Sequence, residues 1–599
     1  MPRVGLPIPS QIMNTIALDY ETYYDKECSI KSLGNIGYFS HPLFDAYMIS
    51  AWGDDGTKFV GCPKSEFDWS IIEGNRILSH NASFDETLYL FGVDKGWWPL
   101  YQYKEWLCTA DLAAYCGLPR SLKGSTTELF NLDISKETRD SMMGKRWEDM
   151  TEEFKEEVSD YALKDSELCL RLWDSLKDKW PQQEQDISVL NRRISQRGIP
   201  IDTTTLKEQN NTIAQKLFEA ENAIPWIGDA PTLSRKAFNN ECRKMGLEPP
   251  LSLAMTDKDA NKWITENGQK YKWIGAVRDF RRINSLKKKL ESFRNATMSD
   301  SRYYGNIMYW GASTGRFSGG GGNLNLQNLP RGEIFGVDLR KLISTKPDKR
   351  LVVADLSQIE VRTLCWLAGD EEILDEIRNS DDIYETFAVR LRMWEEKNEP
   401  MKLVDPKRRH MVKTMVLGCG YGASHKKFSE ISGLSMNDSK VAVHTYRKHM
   451  KKEVRLWSIY QRGLHSCYGL CEPFKIDLPS GRSLDYGMIK SHIINGRRHL
   501  ISMIARGAKK TPIRLWGGLL TENASQALAR DVFSDILLRL EEHNMNVIFH
   551  VHDEVVIETD KEDAENVLED VIKIMRTPPV WLPDIPLDAE GKVLTQYEK

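Results

Sequence analysis

The sequence predicts a multidomain chain: an α/β head, a mostly helical arm, and an α+β body interrupted by a helical insert. Three observations carry this expectation. The 599 residues suit about four domains at roughly 150 residues each. The first 180 residues alternate short apolar strand-like runs with amphipathic helical ones. Two further apolar strand-like runs, RLVVADL and VIFHVHDEVVIE, stand nearly 200 residues apart with helical sequence between them. Hydrophobic residues make up 41% of the chain, enough to fill several cores.

In the head, IALDYE reads as a strand and RILSHNASFDETLYLFG as a strand running into a helix. EEFKEEVSDYALKDSELCLRLWDSL reads as a long amphipathic helix, and Pro181 interrupts the pattern. Residues 186–299 are polar and helical, broken at Pro200, Pro231 and Pro249–Pro250. SGGGGNLNLQNLP, at 318–330, reads as an irregular loop. A buried strand and helix follow in RLVVADLSQIEVRTLCWLAG, then helical sequence from Asp381 to about Lys452, then a strand, turn and strand from Asn544 to Glu558. The expected domains are a head at 1–183, an arm at 184–300, a body at 301–370 and 481–599, and an insert at 371–480.

Composition excludes some classes. No apolar run approaches the ~18 residues of a membrane span, and MPRVGLPIPSQ lacks the pattern of a secretory signal, so a cytoplasmic protein with no membrane partner is expected. Ten cysteines without a CxxC pair suit a reducing compartment, and Cys467 and Cys471 have no partner pair to complete a zinc site. Net charge is -4, but its distribution is uneven. Gly268 to Arg294 holds nine Lys/Arg against two acids, Arg447 to Arg455 five against one, and Glu148 to Asp160 seven acids against one lysine. Basic stripes on a near-neutral chain suit a polyanion bound along a path.

Two constellations carry chemistry. In the head, LDYET sets Asp19 and Glu21 at i and i+2 of a strand, on one face. NASFD brings Asn81 and Asp85 to a helix start, and YALKD sets Tyr161 and Asp165 one helical turn apart. Four acids on one surface repel unless cations lie between them, which suits two Mg²⁺ ions at ~3.5–4 Å separation. In the body, Asp355 ends an apolar strand, and His552, Asp553 and Glu554 form a turn between two β-rich runs. Two such aspartates can clamp metal ions on a triphosphate. Between them Arg409, Lys413, Leu417 and Tyr421 recur every four residues, on one helix face, and two cations with no intervening acid suit a polyphosphate.

The head motifs and the segment TADLAAYCGLPRSLKG resemble the 3′–5′ exonuclease domain of the DEDD superfamily, which implies a ribonuclease H-like head. The body motifs resemble motifs A, B and C of family A DNA polymerases, the DNA polymerase I group. NRRISQRGIPIDTTTL and RRINSLKKKLESF are similar to that family's thumb, and STGRFS with NLNLQNLPR to its template-primer strip. LPSGRSLDYG, TENASQALARDVF and DAEGKVLTQYEK are similar to segments of phage-type members. The resemblance implies a right-hand polymerase with thumb, palm and fingers, acting on primer-template DNA and dNTPs. Two Mg²⁺ per site are implied, with Mn²⁺ able to substitute. Asp19, Glu21, Asp85 and Asp165 would hold metal in the head, and Tyr161 would orient the attacking water. Asp355, the Leu356 carbonyl, Asp553 and Glu554 would hold metal in the palm. Arg409 and Lys413 would bind the triphosphate, Glu360 would be the gate against a 2′ hydroxyl, and Gln358, Leu417 and Tyr421 would line the nucleotide site. Arg316, Gln327, Asn328 and His552 would touch the primer terminus or minor groove, with Lys287, Lys288 and Lys289 on the duplex backbone.

The chain departs from the family pattern at Leu417, where Phe or Tyr is usual, and at Tyr384, where bacterial members carry a phosphate-binding His. The stretch between Arg316 and Asn325 is longer and rich in glycine. With the first motif at residue 19, a 5′ nuclease domain is not expected, and a phage or prophage replicase in the host cytoplasm is. No processivity factor can be named. Competing readings are a single-subunit RNA polymerase, against which Glu360 and the acidic head argue, an inactive DNA-binding relic, and a dedicated exonuclease with an accessory domain. An inactive relic would be expected to lack the metal carboxylates, and a dedicated exonuclease would not need Asp355, Lys413 and Asp553 together.

Overall fold

The computed structural model describes residues 13–132, 137–254, 257–320, 324–395, 399–507 and 509–598. The first twelve residues and Gly321 to Asn323 of the glycine-rich loop lie outside them.

The head is built on the strand Thr15–Thr22, the centre of a five-stranded mixed sheet. Ala46–Gly53 pairs with it antiparallel and Arg76–Ser79 parallel. The expected helices Ala82–Asp94 and Glu152–Leu176 are present. Apolar positions of the long helix, Leu168, Leu172, Trp173 and Leu176, are buried in a core that runs on through Trp180 to the body strand Lys349–Leu356. The helix Gln182–Arg197 packs between head and body, against the strand Val547–Val551 and the helix Gly517–Glu542.

The arm has four main helices. Lys272–Ala296 packs on Thr203–Asn222 and buries Ile283, Leu286, Leu290 and Phe293. The body sheet places Lys349–Leu356 between Glu554–Asp560 and Ala589–Leu594, both antiparallel. The helical insert is as expected, with its own apolar core around Phe387, Val412, Met415 and Phe428.

Two features differ from the sequence expectation. Part of the presumed irregular loop, Ser318–Gly320, is a strand paired with Asn306–Met308. Residues 473–515, for which no strand was expected, form five: a hairpin (Pro473–Asp477 with Ser483–Met488) and a three-stranded sheet of Lys490–Ile494, Arg497–Arg506 and Lys509–Leu515. The hairpin crosses residue 480, where the insert was expected to end. With one face buried, the hairpin strands alternate exposed and buried residues, a period-two signal present in FKID and SLDY but not read as strand.

Candidate active sites

The head cavity, about 660 Å³, is lined by Asp19, Glu21, Asp85, Tyr161 and Asp165 together. The strand Thr15–Thr22 aims Asp19 and Glu21 to one face, and Asp85 lies in the first turn of its helix. Ser50, Asp19's cross-strand partner, fixes the long helix to the sheet. Its hydroxyl donates to the Ala162 carbonyl at 2.8 Å and pairs with the Ser166 hydroxyl at 2.6 Å, which sets Tyr161 and Asp165 over the strand.

Burial raises the Asp19 carboxyl well above the ordinary range, and the neighbouring acids Glu21, Asp85 and Asp165 add to the rise. Burial, then the charge of Asp165, pushes Glu21 up to about 8; burial does the same for Asp85, also to about 8. Among the described residues no three His, Cys, Asp or Glu side chains form a closed cation cage. The donor set nonetheless fits divalent cations: mutually repelling oxygens around one water-accessible cavity. Sequence reasoning missed Arg139, which lines the cavity and opposes the acids' charge. Its short helix carries no motif.

The body cavity, about 440 Å³, gathers Arg316, Asp355, Leu356, Gln358, Glu360, Lys413, Leu417, His552 and Asp553. Backbone pairing forces this meeting. The two-residue turn His552–Asp553 joins Val547–Val551 to Glu554–Asp560, and the Asp553 carbonyl accepts from the Leu356 amide at 3.1 Å. His552 takes φ 56 and Gln358 φ 48, left-handed values rare for side-chain-bearing residues and found here at both turns beside the cavity. Glu360 is clamped: Arg316 ion-pairs with one oxygen, and the Tyr421 hydroxyl lies 3.5 Å from the other. The Tyr421 hydroxyl also reaches Ser525 at 3.2 Å. Tyr384 forms part of the wall, with Lys413 and Arg409 over its ring at 5.7 and 5.1 Å.

Several expected residues lie outside the cavity or carry other contacts. Glu554 does not line the cavity; it is buried in its strand and accepts a hydrogen bond from the Tyr597 hydroxyl at 2.5 Å. Its cross-strand partner is Asp355, which does line the cavity. Arg409 is not a cation lacking an acid: Asp382, 27 residues earlier, binds its guanidinium at 2.5 and 3.0 Å. The helix Pro406–Cys419 ends before Tyr421, because Gly422 takes φ 78 and the Gly420 carbonyl accepts from the Trp457 indole at 2.7 Å. Gln327 is buried and Asn328 exposed on a short 3-10 turn, neither lining the cavity. Lys287 pairs with Glu291 at 3.6 Å, and Lys288 is exposed, both on the arm helix and apart from either cavity. Arg331, Arg530 and Glu590 line the body cavity without having been expected.

Residues 203–460 match the family model described as DNA polymerase family A. The DNA polymerase of Bacillus phage SP02 is 25% identical over 98% of this chain and all of its own length. The chain is thus similar to DNA polymerase family A. Within family A, the thermostable DNA polymerase I of Thermus filiformis is 25% identical over 73% of the chain, and that of Thermus aquaticus 22% over 73%. Each aligns over 51% of its own length, so the chain spans about half of these two relatives. The fold is similar to that of the POL domain of Pol1 from M. smegmatis, solved with DNA primer-template and dNTP, at TM-score 0.68 and 17% identity, covering 98% of this chain and 96% of that one. Among the described residues no helix is long and apolar enough to cross a membrane.

Proposed function

We propose that this chain extends primer 3′ ends with dNTPs on a DNA template, and that its head removes mispaired 3′ nucleotides. The observation that carries the reading is the body cavity, where a strand-end aspartate, a hairpin-turn aspartate, a helical lysine and a clamped glutamate share one volume. Relatives named as DNA polymerases, and a structural neighbour solved with DNA primer-template and dNTP, support those partners. The full-length likeness to a phage polymerase supports a replicative role in a phage or prophage, in the host cytoplasm.

In the body, Asp355, the Leu356 carbonyl and Asp553 would hold two Mg²⁺ ions, and in the head Asp19, Glu21, Asp85 and Asp165 would. Such ions supply activation of the attacking oxygen and neutralisation of the leaving group. The protein's own side chains do the rest. Lys413 faces the cavity and balances the triphosphate, and Arg409, held by Asp382, would turn to it from one helical turn away. Glu360, fixed by Arg316 and Tyr421, fills the volume that a 2′ hydroxyl needs. Gln358 and Leu417 complete the wall, leaving an apolar surface toward the sugar. Arg316 and His552, with Gln327 and Asn328 behind them, steady the primer end without reading its sequence, and Lys287 and Lys288 offer phosphate contacts along the duplex. In the head the Tyr161 hydroxyl orients the water that attacks the terminal phosphodiester.

A primer-extension assay with Mg²⁺ tests this. Extension is expected with dNTPs and far less with rNTPs, and shortening of the primer without nucleotides. Absence of extension with dNTPs would overturn the polymerase reading, and absence of shortening the proofreading one.

A further inference from the structure

The unexpected three-stranded sheet at 490–515 carries seven Lys/Arg and no acid in its 26 residues. Its register divides them: Lys490, Arg497, Lys510 and Arg514 fall on one face, Arg498 and Lys509 on the other. Residues paired across antiparallel strands share a face, so Lys490, His492, Arg497, His499, Met503, Lys510, Pro512 and Arg514 fall on one side. Leu500, Ser502, Ile504 and Leu515 fall on the other and are buried. Lys490, His492, Arg497, Met503, Pro512 and Arg514 are exposed. The outer face is thus cationic and interspersed with apolar contact points.

The sheet also runs from the head cavity toward Tyr421, beside the body cavity's Glu360. At one end Leu515 leads into Trp516 and the helix Gly517–Glu542, whose Gly518 packs against the carbonyl of Tyr421 so closely that a Cβ there would lie 2.3 Å from it. At the other end Gly507 lines the head cavity, and its carbonyl accepts from the Arg120 amide at 3.0 Å. Lys510 pins this end by pairing with Glu128 of the head at 2.9 Å. At about 3.4 Å per residue, the ten-residue strand Arg497–Arg506 runs roughly 30 Å toward the head.

We infer that the outer face of this sheet binds single-stranded DNA and guides an unpaired primer end from the body cavity to the head cavity. The inference rests on the two-site reading above. A single strand fits the surface because its phosphates meet Lys490, Arg497 and Arg514, in a sheet whose own sequence holds no acid, while its exposed bases meet Met503 and Pro512.

The test uses the full chain carrying K490Q/R497Q/R514Q, three exposed substitutions away from both cavities. Binding of a short labelled oligo-dT is measured against salt, alongside excision of a mismatched 3′ nucleotide and extension of a matched primer. Loss of three phosphate contacts is expected to make the log–log salt dependence shallower by about two. Mismatch excision should fall severalfold while matched extension keeps the parental rate, and K490R/R497K/R514K should restore excision. An unchanged salt slope, or a changed slope with parental mismatch excision, would overturn the inference. Failure of the two-site reading is distinguished because the parental protein itself would then neither extend nor shorten primers.

Discussion

Glu453 offers a prediction whose size follows from its surroundings. It lies in the helix Lys451–Leu470 of the insert, with no solvent exposure, and beside the buried Cys365 thiol. Burial first, and then the negative charge of Asp370, lifts its carboxyl from the ordinary 4.5 to about 7. Below pH 4.5 the group is neutral in both folded and unfolded chains. As pH rises toward 7 the unfolded chain gives up its proton while the folded one keeps it, so stability is lost across that window and levels off above it. At 1.36 kcal/mol per pH unit, the loss is about 3 kcal/mol. Glu453→Gln removes the titration. In paired urea unfolding series on parent and variant, the variant's relative stability is expected to rise by about 3 kcal/mol between pH 5 and pH 8. A parent–variant difference that does not change with pH would refute the reasoning.

Two other side chains support sharp expectations. Glu360→Ala removes the group clamped by Arg316 and Tyr421, and its discrimination between dNTPs and rNTPs should drop by about 1–3 kcal/mol, roughly tenfold to 200-fold, in single-nucleotide incorporation kinetics. Glu184 accepts from buried Arg530 and, at 2.7 Å, from the Tyr309 hydroxyl, tying the helix Gln182–Arg197 to Gly517–Glu542. Glu184→Gln leaves the Arg530 charge beside Asp531, at 3.4 Å and itself paired with Arg482, and should cost about 3 kcal/mol in chemical denaturation.

What the sequence reveals depends on whether a contact is local. Asp19 and Glu21 are two residues apart on one strand, and Tyr161 and Asp165 four apart on one helix, so the period of each element already aims them. Asp355 at a strand end and Asp553 at a tight turn are legible for the same reason. Contacts made across the chain leave no such trace. Asp382 reads only as the start of a helix, since nothing in DDIY foretells Arg409 beside it. Arg139 sits in a six-residue helix without periodicity. The sheet at 490–515 did carry one local signal, Asn495–Gly496. With φ 50 and 72 that pair makes the left-handed two-residue turn that suits a hairpin. Its flanking strands mix cations with apolar residues because one face packs and the other meets solvent. Glu554 is the opposite case: adjacency to Asp553 suggested a shared role, but Glu554 is buried against the Tyr597 hydroxyl.

The central claim, two separate chemistries in two cavities of one chain, is tested most directly by Asp553→Ala and Asp19→Ala assayed side by side on a labelled primer-template. Asp553→Ala is expected to abolish extension and leave primer shortening at the parental rate, and Asp19→Ala to do the reverse. If Asp553→Ala still extends the primer at the parental rate, or if either substitution removes both activities from a folded protein, the account is contradicted.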